Sequence, residues 1–306
     1  MPKPMSFALL FSGQGTQHPA MLPWLTDDGL VRAMCVRLGV DDWRHALMDP
    51  GWAARNDNAQ TLLTGLALAA WSQLAPLLAS PAAVAGYSVG ELAAFSAAGV
   101  IDPTTAAALA PQRAAAMDHC AARAPGGLLA VSGLPEQQLE QLRVETGLAL
   151  AIRNGDASVI FGGPVAALED AERLAAAAGA QVTRLRVNVA SHTPWMREAA
   201  ESFSRTLAEV PFHAPSVVLF SNAADRIRDA RSARVALAAQ IAQTVRWDDC
   251  MEGVLARQVR CVLEVGPGQA LARMWNQRYP TVPARACDDF RSAASIAAWL
   301  NGHADR

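Results

Sequence analysis

Lysine is nearly absent from this chain: of its 26 basic residues all but Lys3 are arginine, set against 28 acidic residues for a formal charge of −2. That balance leaves no basic face for nucleic acid and no polybasic patch for a membrane surface. Charged residues of every kind make up only 18% and hydrophobic ones 52%, which excludes a disordered polymer. The five cysteines (Cys35, Cys120, Cys250, Cys261, Cys287) are odd in number and never spaced C-x-x-C. They therefore argue against a disulfide frame or a zinc site and for reduced thiols in a cytoplasmic protein. The apolar run in Met1 to Leu10 stops at Ser12, too short for a secretory signal, and no stretch approaches the roughly 18 continuous apolar residues of a membrane span. With 306 residues, the chain can bury one large core or two smaller ones.

Abundant alanine favours helices but blurs periodicity, because alanine suits either face, so punctuation carries the reading. Ser6 to Phe11 predicts a buried strand ending in a Ser12-Gly13-Gln14-Gly15 turn, and Ala59 to Leu78 a long apolar helix. Ala82 to Gly86 predicts a strand, Tyr87-Ser88 a sharp turn and Gly90 to Ala98 a helix. Pro111 is expected to kink a helix from Thr104 to Arg123. Val217 to Phe220 and Cys261 to Val265 add buried strands, giving an α/β fold with a mainly parallel sheet. Between them the rhythm changes. Strands at Leu128 to Leu134, Leu148 to Ile152, Ser158 to Phe161 and Gln181 to Val189 alternate with helices as β-α-β-β-α-β, with a hairpin at Asn154-Gly155-Asp156. That order is ferredoxin-like, so residues 126–189 read as a small domain inserted into a large one formed by 1–125 and 190–306.

Gly86-Tyr87-Ser88-Val89-Gly90 is a G-x-S-x-G pattern between a strand and a helix. A strained turn there lifts a serine hydroxyl to the head of the sheet, and the following helix aims free N–H groups at the same spot. At this glycine content about 0.5% of serines are so bracketed by chance, or roughly 0.08 among all the serines of the chain, which favours a nucleophile over an idle turn. A serine nucleophile needs a base. Of six histidines, His303 lies in a polar tail and His119 among helix alanines, whereas His192 sits in Ala190-Ser191-His192-Thr193-Pro194, where the chain returns to the large domain. A loop at a domain junction is where a cleft forms. No aspartate presents itself as a third member, so a backbone carbonyl is an open alternative.

Gly13-Gln14-Gly15-Thr16-Gln17, Gly86-Tyr87-Ser88-Val89-Gly90-Glu91, Ser191-His192 and Glu264-Val265-Gly266-Pro267-Gly268 together resemble the acyltransferases that load malonyl groups onto acyl carrier protein. The resemblance extends over nearly the whole chain and implies an α/β-hydrolase-like large domain with a ferredoxin-like insert. It also implies malonyl-coenzyme A as donor, a carrier-protein phosphopantetheine-type thiol as acceptor and no bound cofactor or metal. By position matching, Ser88 would be acylated and His192 would be its base. Gln14 and the Val89 N–H would form the oxyanion hole, Arg113 would grip the malonyl carboxylate, and the main-chain carbonyl of Gln240 would hold the histidine. Tyr87, Asn154 and Ser191 would line the pocket. Tyr87 stands where the family usually has histidine, and Ser12 where proline is common. With the segment Gln17 to Trp24, these residues resemble more closely the epsilon transacylase subunit of bacterial malonate decarboxylase. That likeness implies a carrier subunit, and other decarboxylase subunits, as partners.

Three other readings stay open on residues alone. One is a transacylase of fatty-acid or polyketide synthesis. Another is a serine esterase or thioesterase, which would give Arg113 and Gln14 no special task. The last is a non-catalytic scaffold subunit.

Overall fold

A computed structural model describes residues 6–15 and 17–304, so Thr16 of the Gly-Gln-Gly turn and Lys3 lie outside the described residues. Strand β1 (Phe7–Phe11) is buried along its whole length. Phe7, Leu9 and Phe11 face one core and Ala8 and Leu10 the other, the pattern of a central parallel strand covered on both sides. Around it, β2 (Ala83–Gly86), β7 (Val218–Phe220), β8 (Arg226–Ile227), β10 (Cys261–Val265) and β11 (Ala284–Ala286) form one sheet in the order β11-β10-β1-β2-β7-β8. Every pairing in it is parallel except β7 with β8 at one edge.

The second sheet is built from β3 (Gly126–Ser132), β4 (Ala149–Gly155), β5 (Ser158–Pro164) and β6 (Gln181–Arg184), in the order β6-β3-β5-β4 with antiparallel neighbours. The helices Glu136–Thr146 and Val165–Ala177 bury leucines and alanines in its separate core. One further strand, β9 (Val245–Arg246), comes from beyond residue 189 and joins β4 in parallel. It is too short to carry a signal of its own.

Several expected boundaries move for local reasons. The long apolar helix is Asn56–Leu74, because Pro76 has no N–H to continue it. By contrast, Pro111 does not end the helix Pro103–Arg123, which runs through it. The strand expected to reach Val189 stops at Arg184: Leu185 makes one last bond to the Leu128 carbonyl (3.0 Å), then the chain leaves the sheet. Its alternating apolar residues Leu185 and Val187 pack against the edge of the core and also line a cavity. No helix of the described residues is long and apolar enough to cross a membrane.

Gly86 and Gly90 hold the β2 turn against β1. A Cβ on Gly90 would lie 2.4 Å from the Phe11 carbonyl oxygen, and one on Gly86 would lie 2.3 Å from the backbone of Gly90. Neither neighbour is a flexible tip that can swing away. Gly90→Ala is therefore expected to destabilise the protein by about 1–3 kcal/mol in chemical denaturation. Gly29→Ala, where nothing lies within 4 Å, should shift stability by less than about 1 kcal/mol.

Candidate active site

Strand β2 ends at Gly86, its ladder continued by one bond from the Tyr87 N–H to the Phe11 carbonyl (2.9 Å). Ser88 then takes φ +56°, a left-handed conformation that a non-glycine residue adopts only under constraint, and the helix Gly90–Ala97 begins. This is the strained elbow that the sequence pattern predicts. On the other side, the His192 N–H donates to the Ile241 carbonyl (2.8 Å), and His192 too sits at positive φ, +64°. Its ring spans the gap: Nε2 lies 2.7 Å from Ser88 Oγ, and Nδ1 lies 2.5 Å from the main-chain oxygen of Gln240. A carbonyl can only accept, so Nδ1 carries the proton and Nε2 is left to accept from the serine hydroxyl. The ring is held by a peptide oxygen, and no aspartate of the described residues bonds it.

Gln240 has a second job. Its side-chain Oε1 accepts from Arg113 Nη2 (3.3 Å), while Arg113 Nη1 donates to Gln60 Oε1 (2.6 Å). Arg113 is 1% exposed and no carboxylate of the described residues lies within ion-pairing distance of it. Its Nε and the Gln240 Nε2 are buried donors with no acceptor. Burial lowers the Arg113 pKa to about 10, leaving it charged at neutral pH. Burial, and then the charge of Arg113, push His192 down to about 3. The imidazole is neutral at neutral pH.

A cavity of about 230 Å³ opens over this pair, lined by Gln14, Tyr87, Ser88, Ser191 and His192 at its polar end and by Leu128, Ile152, Ile160, Leu185, Val187, Leu271 and Met274 along its apolar walls. The second sheet and its exit segment supply five of these apolar residues: Leu128, Ile152, Ile160, Leu185 and Val187. Among the described residues neither the Val89 nor the Gln14 backbone N–H has a protein acceptor, and Gln14 lines the cavity. Ser12 Oγ donates to Glu264 Oε1 (2.9 Å), tying the Gly-Gln-Gly turn to the end of β10. Glu264 is buried, and burial raises its pKa to about 7.

The structure thus brings together Ser88, His192, Gln240, Arg113, Gln14 and Val89, with Ser191 on the cavity wall. Arg113 stands behind the dyad and is not among the cavity-lining residues. Asn154, expected to line the pocket, is not among the residues lining the cavity: its side chain is taken up by Tyr87, accepting from the hydroxyl at 3.2 Å, and Tyr87 packs edge-on to Trp247 with ring centroids 5.1 Å apart. Gln60, Asn222 and Glu91 have site roles that the sequence reading does not assign. Gln60 lies in the polar N-terminal stretch of its helix, with Asn56, Asp57, Asn58 and Thr61, so nothing in the sequence singles it out. Asn222 follows the apolar strand β7 and carries no motif. No group of three or more His, Cys, Asp or Glu placed to hold a metal occurs among the described residues.

Residues 8–305 match the acyl transferase domain family, and the chain belongs to that family. It is 33% identical over 292 residues to the malonyl CoA-acyl carrier protein transacylase of Mycobacterium tuberculosis, covering 91% of this chain and 95% of the relative. Its fold is similar to that of the acyl-carrier-protein S-malonyltransferase of Burkholderia pseudomallei, with a TM-score of 0.87, 28% identity and coverage of 96% and 100% of the two chains. A malonyl-transacylase solved in complex with its type II PKS acyl-carrier protein gives the same TM-score, 0.87, at 28% identity, covering 97% of this chain and 99% of that one.

The titration of His192 is open to direct measurement. Its ordinary pKa of 6.5 is displaced downward on folding, so between about pH 6.5 and 3 the unfolded chain takes up a proton that the folded one refuses. This contribution to stability is full above pH 6.5 and is lost as pH falls toward 3. The ¹⁵N chemical shifts of the His192 ring should remain those of the neutral Nδ1–H form from pH 8 to 5. Imidazolium shifts at pH 5.5 would contradict the burial argument.

Proposed function

We propose that this protein is a cytoplasmic malonyl transacylase that moves malonyl from malonyl-coenzyme A, through an ester on Ser88, to the phosphopantetheine-type thiol of a carrier protein. The observation that carries the reading is the buried Arg113 guanidinium, charged yet without a carboxylate partner, joined through Gln240 to the base of the nucleophile. A buried cation left unpaired is costly unless its binding partner supplies the anion. The free carboxylate of a malonyl group is planar and accepts two parallel hydrogen bonds, which matches a guanidinium with a donor to spare. An acetyl group offers nothing to that charge. Pairing Arg113 with a carboxylate also lifts one of the two influences that hold His192 low, so the correct acyl group makes the base stronger.

In this reading residues 126–189 are an inserted domain whose apolar wall covers the acyl and pantetheine chain, while residues 1–125 and 190–306 carry the chemistry. His192 Nε2 takes the Ser88 proton as Oγ attacks the thioester carbonyl. The Val89 and Gln14 N–H groups receive the negative oxygen of the tetrahedral adduct. When the adduct collapses, the carbon–sulfur bond breaks, coenzyme A leaves as a thiolate, and His192 returns the proton to it. The carrier thiol then gives its proton to His192, its sulfur attacks the Ser88 ester, and the serine oxygen leaves and is reprotonated.

The finer reading, a subunit that charges the carrier of malonate decarboxylase, is supported by two departures from the family pattern that both make structural contacts. Tyr87 hydrogen-bonds Asn154, and Ser12 hydrogen-bonds Glu264. The alternative, service to fatty-acid or polyketide synthesis, agrees with the names of the relatives. Transfer rates to the two kinds of carrier separate them: the decarboxylase reading requires a higher kcat/KM with the carrier bearing the longer decarboxylase prosthetic arm.

Arg113→Ala should lower kcat/KM for malonyl-coenzyme A by about 2–5 kcal/mol in transition-state terms, roughly 30-fold to several thousand-fold, while acetyl transfer changes little. An unchanged malonyl-to-acetyl ratio contradicts the carboxylate role. Adding carrier protein should divert malonyl from coenzyme A to the carrier. Free malonate released at the same rate with and without carrier would instead mark a thioesterase.

A further inference from the structure

We infer that Asn222 is a positioning residue for the nucleophile, its carboxamide standing in for a backbone peptide that the sheet lacks. Strands β2 and β7 pair in parallel from Ala83 with Val218 to Ala85 with Phe220, and the same register carried forward sets Tyr87 opposite Asn222. In a parallel ladder, a residue gives its N–H to the carbonyl before its partner and accepts from the N–H after it. Asn222 does both with its side chain. Nδ2 donates to the Gly86 carbonyl at 2.7 Å, and Oδ1 accepts from the Ser88 N–H at 2.7 Å. The ladder gains one more amide unit that imposes no chain direction, so the backbone can turn to positive φ at Ser88 with its polar groups satisfied.

Asn222 is itself immobilised. It is fully buried, its N–H donates to Glu91 Oε1 (2.6 Å) in the first turn of the helix leaving the elbow, and its carbonyl accepts from the Arg246 N–H (3.2 Å). The elbow is fastened before, at and after the serine: at Gly86, Ser88 and Glu91. Because the Ser88 N–H is committed to Asn222, the elbow amide left for a substrate oxygen is that of Val89. The inference rests on Ser88 being the nucleophile of the proposed transfer but not on the acyl group being malonyl.

Asn222→Asp keeps the shape and the acceptor but sets an oxygen against the Gly86 carbonyl; Asn222→Ala removes both bonds. In both variants, phosphonylation of Ser88 by a fluorophosphonate probe and kcat for malonyl transfer should fall about 10- to 100-fold, the scale of an ångström's misplacement of a reacting group. KM for malonyl-coenzyme A should stay within about twofold, because the substrate's own contacts are intact. Circular dichroism and a cooperative melt establish that the variants are folded. Wild-type rates in folded variants overturn the assignment, as does a raised KM with kcat retained. Collapse of both variants would make Asn222 a determinant of the fold and overturn it equally. Wild-type protein that takes the phosphonate but never malonyl defeats the malonyl reading alone, and the phosphonylation rates still decide the role of Asn222.

Discussion

The structure turns on a single hydrogen bond, 2.7 Å between Ser88 Oγ and His192 Nε2, made between two loops that both bend the wrong way for ordinary residues. Left-handed backbone at a non-glycine residue costs about 1–2 kcal/mol, and here it occurs on both sides of the same contact. The surroundings that sustain it are rigid. Gly86 and Gly90 let the elbow lie against β1, Asn222 satisfies its polar backbone, the Ile241 carbonyl holds the His192 main chain, and the Gln240 carbonyl fixes the imidazole from behind. Strain persists at a site when its neighbours over-determine it, and here the same neighbours also orient the base.

Gln240 links the two halves of the site. Its main chain sets the tautomer of His192 and its side chain supports Arg113, so the base and the buried positive charge share one residue. In the proposed reading, that arrangement lets a pair without an acidic third member select its acyl group. The electrostatic influence on the imidazole comes from a cation, and in the proposed reading a malonyl carboxylate offsets it. Around the site, buried carboxyl groups run the other way: burial lifts Glu91 to about 8 and Glu264 to about 7. Glu91 and Arg113 still favour one another's charged form through space, although no ion pair joins them.

The chemical centre was largely legible in the sequence, because its parts are short and local. Gly86 to Gly90 encodes a turn whose shape follows from which residues lack a Cβ, and His192 stands out by its place at the seam between the two sheets. The roles of Arg113, Gln14 and Gln240 came only through family resemblance, since an arginine on a helix and two glutamines have no pattern of their own. What escaped was tertiary. Asn222 acts across more than 130 residues of chain, through bonds to Gly86 and Ser88 that no local pattern encodes. The β9 strand is only two residues long. The segment after Arg184 alternates as a strand does, yet it leaves the sheet: Leu185 and Val187 pack at the core's edge and line a cavity, and periodicity cannot tell that placement from a strand in a sheet.

The most direct measurement is rapid-quench peptide mapping after the protein is mixed with equal amounts of malonyl- and acetyl-coenzyme A. A carboxylate-seeking guanidinium behind an oriented serine and histidine requires a malonyl ester on the peptide containing Ser88, in large excess over acetyl. Equal labelling by the two donors, or an ester on any other residue, would contradict the account.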